Sequence, residues 1–150
     1  MTPSGAEKPA SAEGFGILIV AHGHLAEEMV RVVEKILGSR QSIETVSMGW
    51  DDDVAAARAR IQEALQKADR GRGVLVLTDM FGGTPTNVAL PFLKEGDVEI
   101  VTGVNLPMVL KIPNVRQIGG TLREAADQLR DLGQRAIQLA TRYMEKPRGA

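Results

Sequence analysis

Apolar positions alternate along the chain between two periodicities. Residues 15–21 form a continuous apolar run, as expected of a strand covered on both faces. Leu25, Met29, Val32 and Ile36 then recur at helical spacing, and Gly38 supplies a stop. Residues 42–48 read as a second, more polar strand, nearer an edge of the sheet. Asp51, Asp52 and Asp53 open a helix, since acidic side chains suit the positive end of the helix dipole. Val54, Ile61, Leu65 and Ala68 mark its buried face. Val74–Thr78 is a third buried strand, with Asp79 directly after it.

In the stretch that follows, Thr84 reads as an N-cap and Pro85 as the first residue of a helix, with Pro91 placed to kink it. Residues 98–104 give a fourth strand, closed by Asn105-Leu106-Pro107-Met108. A helix is predicted over residues 121–132. Residues 135–143 are ambiguous: Ile137, Leu139 and Thr141 alternate like a strand, yet the segment could extend the helix. Strands alternating with helices predict an α/β fold, with a mostly parallel sheet and helices on both faces. Ligands in such folds bind beyond the carboxyl ends of the strands, where strand order reverses. His22, Asp79 and Asn105 all fall at such ends.

Composition narrows the functional classes. With 150 residues the chain fits one domain, and a net charge of -1 gives no reason to expect nucleic acid or an anionic membrane as partner. Aromatic residues, at 3%, are too few for base-stacking platforms. Without cysteine there are neither disulfides nor thiolate metal sites. No apolar run approaches the roughly 20 residues of a membrane helix. Residues 1–14 are rich in Pro, Ser, Gly and Ala and carry no secretory pattern, so they read as a disordered tail before a domain over 15–145, in a cytoplasmic protein.

The chain has two histidines, His22 and His24, in one turn. Histidine can act as a nucleophile near neutral pH. A carboxylate bonded to one ring nitrogen fixes the tautomer and leaves the other as a directed lone pair, and Asp79 could supply it. Gly82, Gly83 and Thr84 could offer backbone N–H groups and a hydroxyl to a phosphoryl group. Such transfer needs little beyond positioning and charge stabilisation. Each element also has a plainer reading. A strand-end histidine is often structural, and Gly-Gly-Thr-Pro is often only a turn and a cap. His-x-His could hold a metal, but there is no third histidine, and neither a metal nor a cofactor is expected. Trp50, the only tryptophan, reads as packing or a subunit contact.

VAHGHLAEEMV, then LTDMFGGTPTNVA, then TGVNLPM, in that order, resemble the enzyme IIA domain of the mannose-type (mannose/fructose/sorbose) sugar phosphotransferase system over residues 15–143. The resemblance implies a three-layer α/β sandwich and a phosphotransferase. His22 would accept a phosphoryl group from the phosphocarrier HPr, on Nε2, and pass it to a IIB component for carbohydrate uptake. Asp79 matches the acidic residue that hydrogen-bonds the active histidine. Thr84 matches a hydroxyl position in the phosphate-facing loop. Gly23, Phe81, Gly82 and Gly83 are expected around the phosphate, and Met80, Asn105 and Pro107 in the pocket. A homodimer that exchanges a C-terminal antiparallel strand is also implied, as is membrane association only through transporter components.

The segment with Pro113 departs from the family pattern, and the helix usual there is expected to be truncated. Three other readings stay open. They are a regulatory phosphoprotein, the phosphoryl-transfer subunit of dihydroxyacetone kinase, and a nucleotide-binding module, which would need a fuller glycine fingerprint.

Overall fold

The computed structural model describes residues 14–145. The expected tail, apart from Gly14, lies outside the described residues. Four strands, β1 (Gly16–His22), β2 (Glu44–Met48), β3 (Val74–Thr78) and β4 (Val98–Thr102), form one sheet in the order β2-β1-β3-β4. All three pairings are parallel. The chain leaves β1 toward β2 on one side and returns to β3 on the other, so strand order reverses between β1 and β3.

Side chains along a strand alternate between faces, and β1 divides two cores accordingly. Ile17, Ile19 and Ala21 pack with residues of α1 (Leu25–Leu37), α4 (Leu106–Leu110), α5 (Ile112–Ile118) and α6 (Leu122–Arg135). Leu18 and Val20 pack with residues of α2 (Val54–Ala68) and α3 (Thr84–Ala89). The uniformly apolar runs in β1 and β3 are explained by this two-sided burial. β2 is an edge strand, as its polarity predicts.

Local signals explain the helix ends. Asp53 accepts from the Ala56 N–H and caps α2. Thr121 and Glu124 form a reciprocal capping box at the start of α6. Gly38 ends α1 at φ 71°, a conformation that suits glycine.

Several expectations need correction. The buried face of α1 is Ala26 and Val33, while Leu25, Val32 and Ile36 are exposed. Val54 is likewise exposed, and Ala57, Ile61, Ala64 and Ala68 are the buried residues of α2. The cap of α3 is Gly83, with Thr84 its first residue. That helix ends at Ala89, and a 3-10 turn over Leu90–Phe92 accommodates Pro91. In place of one truncated helix after Asn105 there are two short ones, α4 and α5, with Pro113 in the first turn of α5.

The C-terminal antiparallel strand is not found. Helix α6 runs through Gly133 to Arg135, residues 137–139 pair with nothing in the sheet, and α7 (Ala140–Met144) follows. Within the protomer this alternating segment makes no ladder hydrogen bonds with either edge strand, β2 or β4. Among the described residues no helix is long and apolar enough to cross a membrane.

Candidate phosphoryl-transfer site

The reversal between β1 and β3 brings His22 and Asp79 to one rim. Val20 is the partner of Thr78 across β1 and β3, so His22, the last residue of β1, emerges beside Asp79 just past β3. One carboxylate oxygen, Asp79 Oδ2, accepts from both the main-chain N–H of His22 at 2.9 Å and its ring Nδ1 at 2.6 Å. The two bonds close a ring through one residue, and the Asp79 side chain is only 10% exposed.

Burial alone would raise the Asp79 carboxyl. The His22 main-chain N–H, the His22 ring and a weaker contribution from the Met80 N–H together outweigh it and hold the group below its ordinary value of 3.8. An ionised carboxylate only accepts hydrogen bonds. Nδ1 therefore carries a proton, and in the neutral imidazole the lone pair falls on Nε2. Asp79 Oδ1 is buried without a well-formed hydrogen bond.

Gly23 turns the chain at once from β1 into α1 with φ 54°. Its N–H donates to the Met48 carbonyl at 2.8 Å and so ties the turn to the end of β2. His24 follows as the exposed N-cap of α1, with Nδ1 3.5 Å from Glu27 Oε2. The loop after Asp79 is pinned from below. Buried Thr86 donates its hydroxyl to the Met80 carbonyl at 2.6 Å, which leaves Thr78 as the donor in the 2.6 Å contact between the two hydroxyls.

Gly83 lies against the imidazole: a Cβ there would stand 3.0 Å from both His22 Cε1 and Met80 Cγ. Gly82 takes φ 79°, and Phe81, Met80 and Thr84 are exposed around the rim. A helix start leaves its leading N–H groups without intrahelical partners, here those around Thr84. Asn105 has a different task. Its side-chain oxygen accepts from the Met108 N–H at 3.0 Å and its amide donates to the Gly133 carbonyl at 3.1 Å, so it caps α4 and ties it to α6. Pro107 is exposed in the first turn of α4.

Sequence reasoning missed two participants. Thr86 gave no signal beyond its place in a helix. Trp50 stacks on His22, with ring centroids 5.5 Å apart and planes 24° from parallel. It follows β2, so the strand-end rule that selected His22 and Asp79 could have selected it too. Among the described residues no cluster of side chains is suited to a metal ion.

The profile of the family described as "PTS system fructose IIA component" matches residues 16–130. The fructose-specific EIIA component of the phosphotransferase system (PTS) of Bacillus subtilis is 26% identical over 137 residues, covering 91% of this chain and 93% of that protein. The mannose-specific EIIAB component of Escherichia coli is 32% identical over 103 residues, which are 65% of this chain; the chain spans 30% of that longer relative. The solved mannose/sorbose-specific IIA subunit from Enterococcus faecalis superposes with a TM-score of 0.75 at 27% identity, over 91% of this chain and 99% of that one.

Proposed function

From the premise that the chain belongs to the mannose/fructose family of phosphotransferase-system IIA components, we propose that His22 is its phosphoryl carrier, with Asp79 as the residue that prepares it. The observation that carries this reading is the double acceptance by Asp79 Oδ2 from His22. It assigns the proton to Nδ1 and the lone pair to Nε2. In the transfer, Nε2 forms a bond to phosphorus as the phosphorus–nitrogen bond to the donor breaks. Positive charge then builds on the imidazole and is offset by the ionised Asp79. Backbone N–H groups of the Gly82-Gly83-Thr84 loop and the Thr84 hydroxyl receive the phosphoryl oxygens. The donor is phospho-HPr and the acceptor a IIB component of a sugar transporter, both met in the cytoplasm. Met80 and Phe81, apolar and exposed at the rim, give those proteins a surface to dock on.

The working unit in this reading is a homodimer. Ile137, Leu139, Tyr143 and Met144 are exposed on a single protomer. Among the described residues β4 pairs only with β3, apart from one bridge between Lys94 and Val98. An unpaired edge and an unpaired apolar segment in one protomer are what strand exchange would resolve.

The test is incubation with phosphoenolpyruvate, enzyme I and HPr, followed by mass analysis of the intact protein and of its peptides. One acid-labile phosphoryl group on His22 is expected, and none on the His22→Ala variant. Labelling of that variant at His24 would overturn the assignment.

A further inference from the structure

Trp50 is the only tryptophan in the chain and is 84% exposed, so core burial does not explain its position. The turn that carries it is strongly restrained. Asp52 Oδ2 accepts from the Gly49 N–H at 2.7 Å and from Arg60, whose other nitrogen donates to the Ser47 carbonyl at 2.8 Å. A Cβ at residue 49 would stand 2.8 Å from Asp52 Oδ1, so a larger residue there would push on the carboxylate that holds the turn. Asp53 then caps α2 directly behind it. A tightly held turn thus presents a large aromatic ring to solvent on one side and to the His22 imidazole on the other.

The pairing with Asp79 fixes the Nδ1 edge of the imidazole, but one ring hydrogen bond still lets the ring rock about its axis. An aromatic face stacked on the ring removes that freedom, and Gly83 lies against Cε1. We infer that Trp50 is a positioning residue: its indole covers one face of the His22 ring and keeps Nε2 aimed at the incoming phosphorus. The inference rests on His22 being the phosphoacceptor.

A donor without a protein surface separates positioning from docking. With phosphoramidate, the Nε2 lone pair forms the new bond to phosphorus. The donor's phosphorus–nitrogen bond breaks, and its protonated nitrogen leaves as ammonia with the bonding pair. Nδ1 keeps its proton, shared with Asp79. Phosphorylation of Trp50→Ala by phosphoramidate should be slower by about 3- to 10-fold, the scale of one oriented aromatic pair. Trp50→Phe should keep at least about half of the wild-type rate, because it retains a face to stack. With phospho-HPr, the alanine variant should lose kcat while its KM stays near wild type, and wild-type tryptophan emission should change as His22 is loaded.

A wild-type rate for Trp50→Ala with phosphoramidate overturns the inference. So does a defect confined to a raised KM for phospho-HPr, which would make Trp50 a docking contact. If wild-type protein takes no phosphate on His22 from either donor, the failure lies in the assignment of His22, and the inference falls with it.

Discussion

The rim around His22 and the segment beyond Arg135 treat their exposed groups in opposite ways. At the rim most polar groups are answered within one protomer, Asp79 Oδ1 being the exception. Asp79 is bonded twice to His22, Thr86 ties the loop to β3, and the exposed ring of Trp50 stacks on the imidazole. Beyond Arg135 little is answered. Ile137 is 77% and Leu139 62% exposed, and residues 137–139 join no sheet. The His22–Asp79 pair and the Trp50 stack form within a single chain. The C-terminal segment has the alternation of a strand without a strand beside it, which in the proposed dimer a second copy provides. Chemistry and assembly should therefore be separable by mutation.

The largest expected effect breaks the rim alone. Asp79→Asn keeps a side chain that can shape the loop but removes the charge that offsets the imidazolium. Phosphorylation by HPr should slow by about 10²-fold or more, the scale of losing a positioned proton-handling group. The fold, read by circular dichroism, and the dimer should be unchanged. A wild-type rate would leave Asp79 with a purely structural role.

Next comes a break in the C-terminal segment alone. Leu139→Asp should raise the dimer dissociation constant by about 10- to 100-fold, the scale of one buried leucine. Sedimentation equilibrium reads this, and phosphoramidate labelling of His22 should continue at the wild-type rate. If association is unaffected, Leu139 lies outside the interface.

A smaller effect is expected at Gly83. Alanine is compatible with its backbone, at φ -81°, but the new methyl would press on His22 Cε1 from 3.0 Å. The imidazole must give by a few tenths of an ångström, and transfer should fall by about 3- to 10-fold with stability nearly intact. Equal rates in Gly83→Ala and wild type would mean that the ring tolerates displacement, and would weaken the case for tight positioning at this rim.

The smallest effect is on acid stability. The folded Asp79 carboxyl lies below its ordinary value of 3.8 because His22 and the Met80 N–H outweigh its burial. A depressed folded pKa contributes stability that is fully present above about pH 4 and is lost as pH falls through the folded value. Wild type should thus lose more denaturant resistance than Asp79→Asn between about pH 5 and pH 2. Parallel acid limbs for the two proteins would remove the energetic basis of the pairing.

Much of the rim was legible because its determinants are local. Apolar runs located β1 and β3, β1 ends in His22 while Asp79 directly follows β3, and the βα order implied that the ends would converge. Trp50 was legible in principle by the same rule. Its solitary occurrence instead suggested packing, and only the turn geometry shows it over His22. Asn105 shows what spacing leaves out. Its strand-end position is correct, but its amide is taken up by α4 and α6, a tertiary commitment that spacing does not encode. The stripe on α1 held only in part: Met29 packs against the core, but Leu25, Val32 and Ile36 are exposed, and Ala26 and Val33 are the buried residues. Residues 137–139 could not be resolved by pattern, since alternation specifies a strand only where a neighbouring strand exists.

Central to this account is the tautomer that Asp79 imposes, and nitrogen-15 NMR of the histidine-labelled protein after loading from phospho-HPr tests it most directly. Phosphorus should be bonded to Nε2 of His22, with Nδ1 still protonated and hydrogen-bonded. A phosphoryl group on Nδ1, the nitrogen that Asp79 holds at 2.6 Å in this structure, would contradict it.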